Sequence, residues 1–159
     1  MALETRATKG LDQAGIAYDL RTYPYDPDVD SIGLAAANAL GVDPGQVFKT
    51  LMVTADGKPA FVVAPSDGEV SMKRVAAALG VWTAAIMKPA DAERVSRYKI
   101  GGISPFGHVR KIPVVLDETA LLWDTIYVNG GQRGLQVCLT GQDAVQVLGA
   151  TVADIRQLR

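Results

Sequence analysis

One stretch, residues 46–64, limits the folds available to this chain more than any other. It is predicted to form a strand, a tight turn and a second, apolar strand. Gln46–Val53 alternates in the manner of a strand, so that Val47, Lys49 and two further aliphatic residues share one face. The Asp56-Gly57 pair that follows is a strong hairpin signal. The return run, residues 59–64, is apolar without a break, which predicts a central strand covered on both faces.

The remaining periodicity predicts an α+β fold. Glycine and proline punctuation separates short helical patterns from short strands that hairpins can join. Predicted helices span residues 4–14, 30–40, 72–79, 89–96 and 142–148, with Asp30 or Ser31, Ser71 and Thr140 as N-caps. Predicted strands span residues 16–20, 46–53, 59–64, 82–87, 111–117, 125–129 and 135–139. We therefore expect residues 1–159 to form a single domain, with a mixed, largely antiparallel, barrel-like sheet of about six or seven strands and short peripheral helices.

Composition excludes several classes of function. The formal net charge of −1 gives no overall attraction to nucleic acid or anionic membrane, so RNA contact requires a local basic patch. Cys138 is the only cysteine, and no cysteine cluster offers a zinc site. Charged residues interrupt the first apolar segment, and the apolar runs are too short for a membrane helix. We expect a cytoplasmic protein with no metal, no cofactor, and no DNA or membrane partner.

Lys49 places one ammonium group in a row of aliphatic side chains. A charge in such a position is costly unless it is paired or reaches a cleft. Two interpretations stay open from the pattern alone: a structural lysine that meets a carboxylate or the solvent rim, and a lysine that binds an anionic or carbonyl-bearing ligand.

Two glycine-rich segments offer partners for such a lysine. Ile100–His108 contains two adjacent glycines before a Ser-Pro step, and Asn129–Leu135 contains a second glycine turn. Such turns expose backbone N–H groups that can stabilise an oxyanion, although each is also explained as a sharp turn between elements. Thr22–Asp28 carries two prolines and is predicted to be a loop suited to lining a polar site.

Three segments, in this order, resemble the YbaK/ProX family of aminoacyl-tRNA deacylases. They are Val47-Phe48-Lys49-Thr50-Leu51, Gly101-Gly102-Ile103-Ser104-Pro105 and Asn129-Gly130-Gly131-Gln132-Arg133-Gly134-Leu135. The resemblance covers nearly the whole chain and implies hydrolytic removal of a wrong amino acid from tRNA, most specifically cysteine from Cys-tRNA(Pro), where the substrate thiol attacks its own ester. It also implies that no metal or cofactor takes part.

The resemblance further implies residue roles. Lys49, Gly101 and Gly102 are the expected catalytic positions. The expected substrate-binding positions are Tyr23, Thr50, Ile103, Ser104, Pro105, Asn129, Gly130, Gly131 and Arg133. Candidates for a basic rim along the acceptor strand are Arg133, Lys73, Arg74, Lys99 and Arg110. The acceptor end of an aminoacyl-tRNA is the expected partner, and a prolyl-tRNA synthetase is a candidate second one.

Some positions depart from the family pattern. The family usually has serine where Asn129 stands, and an acidic residue is frequent where Gln136 stands. The reaction class is therefore better defined than the amino acid. Open alternatives are a deacylase for another small residue such as that on Ala-tRNA(Pro), a non-catalytic module that binds tRNA or a synthetase, and a hydrolase of small acyl esters.

Overall fold

The computed structural model describes residues 4–26, 28 and 32–157. Within these ranges there are five α-helices and one sheet of eight strands. The helices are α1 (Arg6–Gln13), α2 (Ile32–Leu40), α3 (Met72–Leu79), α4 (Pro89–Ser96) and α5 (Gly141–Leu148). The strands are β1 (Asp19–Thr22), β2 (Val47–Ala55), β3 (Lys58–Pro65), β4 (Ala84–Ile86), β5 (Val114–Asp117), β6 (Ile126–Asn129), β7 (Leu135–Leu139) and β8 (Thr151–Ala153).

The strand order confirms the predicted mixed sheet. The order is β1-β7-β6-β2-β3-β5-β8, and β4 pairs with β2 outside this path. Antiparallel pairing joins β1 to β7, β6 to β7, and β2 to both β3 and β4, whereas β2–β6, β3–β5 and β5–β8 are parallel. The path is open rather than a closed barrel, and it has one strand more than predicted, because the short strand β8 was not expected from the sequence.

The predicted hairpin forms the centre of the sheet. Asp56 and Gly57 have φ angles of 48° and 81°, the left-handed pair that a two-residue hairpin turn requires. The turn sets a register in which Met52 faces Phe61. Strand β3 lies between β2 and β5, as its apolar run predicted. Phe61 packs into the main core cluster and Val62 into a second cluster on the opposite face.

Local signals explain most helix ends. The Ser71 and Thr140 hydroxyls accept hydrogen bonds from the first turns of α3 and α5, as predicted, and Gly80 ends α3 in the left-handed conformation. The predicted caps of α2, Asp30 and Ser31, lie outside the described residues. No helix in the described ranges is long and apolar enough to cross a membrane.

Candidate active site

A gap in the strand pairing of β2 is the origin of the candidate site. β3 covers one edge of β2 along nearly its whole length. On the other edge, β6 pairs only with Val47 and Phe48, and β4 pairs only from Val53 onward. The Met52 carbonyl accepts from Met87 N at 3.0 Å on this second edge. Because backbone groups of alternate residues point to the same edge, the N–H and C=O of Thr50 face the uncovered gap.

A cavity of about 380 Å³ opens at this gap. Its volume lies in the range of small-molecule sites, roughly 300–1,000 Å³. Polar groups on its wall come from Lys49, Thr50, Asn129 and Gln136. Its apolar wall includes Met52, Ile86, Met87, Ala92, Ile100 and Ile103. The cavity can therefore bury a small apolar group while directing a few polar groups at it.

Lys49 is half-buried on the wall of this cavity. Its Nζ donates to the Gly68 carbonyl at 2.6 Å. Burial lowers the pKa of Lys49, and the negative charges of Glu69 and Asp67 oppose that shift. The ammonium is anchored on one side and partly desolvated, so an electron-rich ligand oxygen would gain a strong charge-assisted hydrogen bond from it.

Asn129 ties the two glycine turns together. Its Nδ2 donates to the Gly101 carbonyl at 3.0 Å, and its Oδ1 accepts from Gly131 N at 2.7 Å. Arg133 adds a second link, since its Nε donates to the Ile100 carbonyl at 2.8 Å. The segments predicted to form a site from their separate positions in the sequence are therefore joined around the amide of one side chain.

The two adjacent glycines have different roles in this geometry. Gly101 has φ of 87° and lies on the cavity wall, and a Cβ there would approach the Tyr25 hydroxyl oxygen to 2.6 Å. Gly102 N already donates to the Lys99 carbonyl at 2.8 Å. A Cβ on Gly102 would lie 2.9 Å from Arg133 N. Gly101 is thus the glycine that borders the cavity, and Gly102 permits the close packing of the two turns.

Four buried polar atoms lack a hydrogen-bond partner among the described residues. They are Tyr23 Oη, Thr50 Oγ1, Ser66 Oγ and Gln136 Oε1. Thr50 and Gln136 line the cavity, and Ser66 contacts the position of a Cβ on Gly33, which also lines it. Burial raises the pKa of Tyr23, and the nearby Gln136 side chain opposes the shift. Buried polar atoms are nearly always paired with protein or ordered water, so the Thr50 and Gln136 oxygens on the cavity wall are placed to bond to a ligand or to a water molecule.

The structure brings five of the predicted positions to the cavity wall: Lys49, Thr50, Gly101, Ile103 and Asn129. The other predicted positions do not line it: Gly102, Tyr23, Ser104, Pro105, Gly130, Gly131 and Arg133. The predicted site residues did not include Gln136, which the sequence analysis named only as a departure from the family pattern. Its register partner is Asn129, and the same face of the sheet carries both. The alternation of side chains along the two strands that flank the glycine turn could have identified Gln136 as a neighbour of Asn129.

The predicted basic rim is not gathered at this cavity. Lys73 and Arg74 lie on α3, which packs on the second core cluster, and Arg74 Nη1 pairs with Asp154 at 2.9 Å. Arg133 holds the Ile100 carbonyl and lies over the Tyr25 ring at 5.1 Å. Within residues 4–26, 28 and 32–157, no three His, Cys, Asp or Glu side chains converge in a way that could hold a metal ion.

Comparisons with known proteins show the family to which the chain belongs. EbsC of Enterococcus faecalis (strain ATCC 700802 / V583), a candidate Cys-tRNA(Pro)/Cys-tRNA(Cys) deacylase, is 30% identical over 154 residues, 96% of this chain and 93% of that protein. A proline–tRNA ligase of Streptococcus suis (strain 05ZYH33) is 27% identical over 134 residues, 84% of this chain but 21% of the ligase. The crystal structure of a candidate trans-editing enzyme for prolyl tRNA synthetase has a TM-score of 0.85 at 21% identity, covers 99% of this chain and 100% of that one, and so shares its fold. Residues 26–147 match the aminoacyl-tRNA editing domain. The chain therefore belongs to the family of aminoacyl-tRNA editing domains, the family that its three motifs predicted.

Proposed function

We propose that this aminoacyl-tRNA deacylase removes cysteine from Cys-tRNA(Pro), and that the substrate's own thiol is the nucleophile. The observation that carries the proposal is the composition of the cavity wall. Lys49 is the only ionisable side chain among the described residues that line it. Nucleophilic catalysis by the protein needs a hydroxyl or thiol beside a base, and activation of water needs a base within hydrogen-bond reach.

The lining residues offer no such pair. Thr50 carries the only hydroxyl among them, and its Oγ1 has no hydrogen-bond partner in the described part of the chain. A substrate that brings its own nucleophile removes this requirement. In the proposed step the thiolate sulfur bonds to the ester carbonyl carbon and the bond from that carbon to the ribose oxygen breaks. The proton lost by the thiol ends on the ribose oxygen, which gives free tRNA and a cysteine thiolactone that water then opens.

The charge that develops on the carbonyl oxygen needs donors already in place. Lys49 Nζ, the Thr50 N–H on the uncovered strand edge and the Gly101 N–H, which has no partner among the described residues, are the donors we assign to it. Removing one donor of this kind typically costs roughly 3–4 kcal/mol of transition-state stabilisation. Asn129 is assigned a positioning role, because it fixes the Gly101 carbonyl and thereby the orientation of the adjacent peptide group.

The wall also supports a small aminoacyl group rather than a large one. Met52, Ile86 and Met87 offer an apolar surface to a short side chain such as that of cysteine. Alanine would fit the same surface, but its ester would need an activated water, for which the lining residues supply no base beyond Lys49. Cysteine is therefore the favoured substrate.

The chain is proposed to work as one unit of residues 1–159 in the cytoplasm, where a prolyl-tRNA synthetase mischarges tRNA. The similarity to part of a proline–tRNA ligase supports the synthetase as partner, because the ligase carries a related segment within its own chain. Association of the two proteins would give the deacylase access to the mischarged tRNA at the point of release.

The decisive experiment compares tRNA(Pro) charged with cysteine or with α-aminobutyrate, which replaces the thiol by a methyl group of similar size. We expect release of cysteine to be faster by at least about 100-fold, since an internal nucleophile has a high effective concentration. Equal rates would refute the role of the thiol. Alanyl-tRNA(Pro) serves as the third substrate and tests the smaller side chain.

A second arm tests Lys49 itself. Lys49→Met keeps the aliphatic length of the side chain and removes its charge, and we expect kcat/KM to fall by about 10²–10³-fold. Lys58→Met, at the exposed β2–β3 turn, is the matched control and should keep wild-type activity. Full activity of Lys49→Met, with a folded protein by circular dichroism, would remove Lys49 from the mechanism.

A further inference from the structure

A second and larger cavity, of about 790 Å³, is lined by a separate set of residues from those of the candidate active site. Its walls are α1, the segment from Pro105 to Ile112, and the last turn of α5. Four cations line it: Arg6, Lys9, Arg110 and Lys111. None of the described residues that line it carries a carboxylate. In a chain whose formal net charge is −1, this is a local concentration of positive charge.

Three of these four cations are available to a ligand. Arg110 and Lys111 are exposed and form no ion pair with any described residue. Lys9 pairs with Glu4 at 3.6 Å, but both side chains are largely exposed, and such pairs contribute little. Arg6 is fixed instead, because its Nη2 donates to the Ser96 and Arg97 carbonyls at 3.0 and 2.8 Å.

The segment that presents Arg110 and Lys111 is held at its base. His108 Nε2 lies 2.9 Å from the Ser104 carbonyl oxygen, and its ring packs 4.7 Å from the centroid of Phe61. The Phe106 carbonyl accepts from the Tyr98 hydroxyl at 2.7 Å. The two exposed cations therefore project from an anchored loop, which limits the conformational entropy lost when they bind.

The basic cavity shares this loop with the active site. Ile103 lines the site cavity and Pro105 lines the basic cavity, so at most roughly 7 Å of extended chain separates the two walls. Opposite charge lies elsewhere around the site, where Glu69 and Asp67 act on Lys49. The last turn of α5 directs carbonyls toward the basic cavity, but those of Gln146 and Val145 already accept from Gly149 and Ala150. A polyanion that extended from the site past the shared loop would meet this positive charge.

We propose that the basic cavity binds backbone phosphates of the tRNA strand immediately before its aminoacylated end. This proposal rests on the proposed function, since it needs the terminal aminoacyl-adenosine to occupy the site cavity. The cations act as phosphate-positioning groups and carry no base specificity. The contacts set the direction in which the acceptor strand crosses the molecule, over α1 and the Pro105–Ile112 segment.

The test is the double charge reversal Arg110→Glu/Lys111→Glu, with Lys58→Glu/Lys73→Glu as a control of equal net charge. Lys58 and Lys73 are exposed, line neither cavity, and Lys73 lies on α3 at the opposite core cluster. The ligand is an RNA acceptor hairpin that carries no amino acid and has a single-stranded CCA end. Its affinity is measured by fluorescence anisotropy between 50 and 200 mM salt. Binding of this hairpin needs no deacylation, so its result is independent of the chemistry.

We expect Arg110→Glu/Lys111→Glu to weaken hairpin binding at least tenfold at low salt. The slope of log affinity against log salt should fall by about 1.4, which is roughly 0.7 for each of two lost single-strand phosphate contacts. Cleavage of a cysteinyl-adenosine ester, which has no phosphate, should keep the wild-type kcat/KM. Unchanged hairpin affinity, an equal loss in the control variant, or an equal loss on cysteinyl-adenosine would each overturn the proposal.

Failure of the proposed function would look different. A wild-type protein that binds the hairpin through Arg110 and Lys111, yet releases no amino acid from any charged tRNA, would refute deacylation and support the RNA surface. A protein that deacylates Cys-tRNA(Pro), and whose hairpin binding does not change in Arg110→Glu/Lys111→Glu, would support deacylation and refute the RNA surface.

Discussion

Replacement of Asn129 tests whether one side chain holds the site together. In Asn129→Ala, the Gly101 carbonyl loses its donor and the Gly131 N–H loses its acceptor, contacts of 3.0 and 2.7 Å in the native protein. An unsatisfied group in a partly buried position costs about 1–2 kcal/mol, so the two together cost about 3 kcal/mol. For a domain of this size that corresponds to a fall in Tm of about 6–12 °C.

Asn129→Ser gives the matched intermediate case. A serine hydroxyl can still accept from the N–H two residues ahead, at Gly131, but is too short to reach Gly101. We therefore expect about half the loss, a Tm lower by about 3–6 °C. Circular dichroism melting measures both variants, and hydrogen exchange at the Gly131 amide should show protection lost in the alanine variant and kept in the serine variant.

Two results would refute this reasoning. A serine variant that melts as low as the alanine variant would show that the contact to Gly131 contributes nothing. An alanine variant within about 2 °C of wild type would show that the two glycine turns do not depend on Asn129. Deacylation should follow stability of the turns, because Gly101 lies on the cavity wall. Both variants should therefore lose kcat/KM, the alanine variant more.

Two further predictions concern charge and packing at the same site. Glu69 raises the pKa of Lys49 against the lowering by burial, so Glu69→Gln should lower it further, measured by an NMR titration of ¹³C-labelled lysine; an unchanged or higher midpoint contradicts this. The folded protein binds the Lys49 proton more weakly than the unfolded chain does. The free energy of unfolding should therefore rise with pH between the pKa of Lys49 in the folded protein and its pKa in the unfolded chain, and it should rise more in Glu69→Gln. A Cβ on Gly102 would meet Arg133 N at 2.9 Å, so Gly102→Ala should cost about 1–3 kcal/mol in urea unfolding. Gly68→Ala, where a Cβ meets nothing within 4 Å, is its control, and equal stability of the two variants would exclude the clash.

The sequence predicted those parts of the fold that depend on near neighbours. Asp56-Gly57 defines its hairpin by the φ angles those residues accept, and Thr140 caps α5 through a bond to Asp143, three residues away. Strand β8 was not predicted because it has three residues, too few to show the alternation of apolar and polar side chains that identifies a strand. Its position beside β5 is set by tertiary pairing, which no local pattern encodes.

Sequence reasoning named five of the residues that line the cavity, but not the contacts that hold them in place. Lys49 was recognised as a charge on an aliphatic strand face, but its anchor at Gly68 lies 19 residues away on another segment. Gly101 and Gly102 look equivalent in the sequence, and the structure distinguishes them by the bond from Gly102 N to Lys99 and by the position of Gly101 on the cavity wall. Contacts of this kind depend on how loops meet in space, so they follow from the fold and not from the motif.

The cavity combines backbone groups from the uncovered edge of β2 with side chains on its wall, and these two kinds of group respond differently to substitution. A donor such as the Thr50 N–H belongs to the backbone, so every sequence that keeps this strand pairing inherits it. The apolar wall of the cavity is made of side chains, among them Met52, Ile86 and Met87. If the proposed function holds, a lineage can exchange the amino acid it rejects by substituting a few apolar residues, while the two backbone donors we assign, at Thr50 and Gly101, stay with the fold and only the donor at Lys49 depends on a side chain.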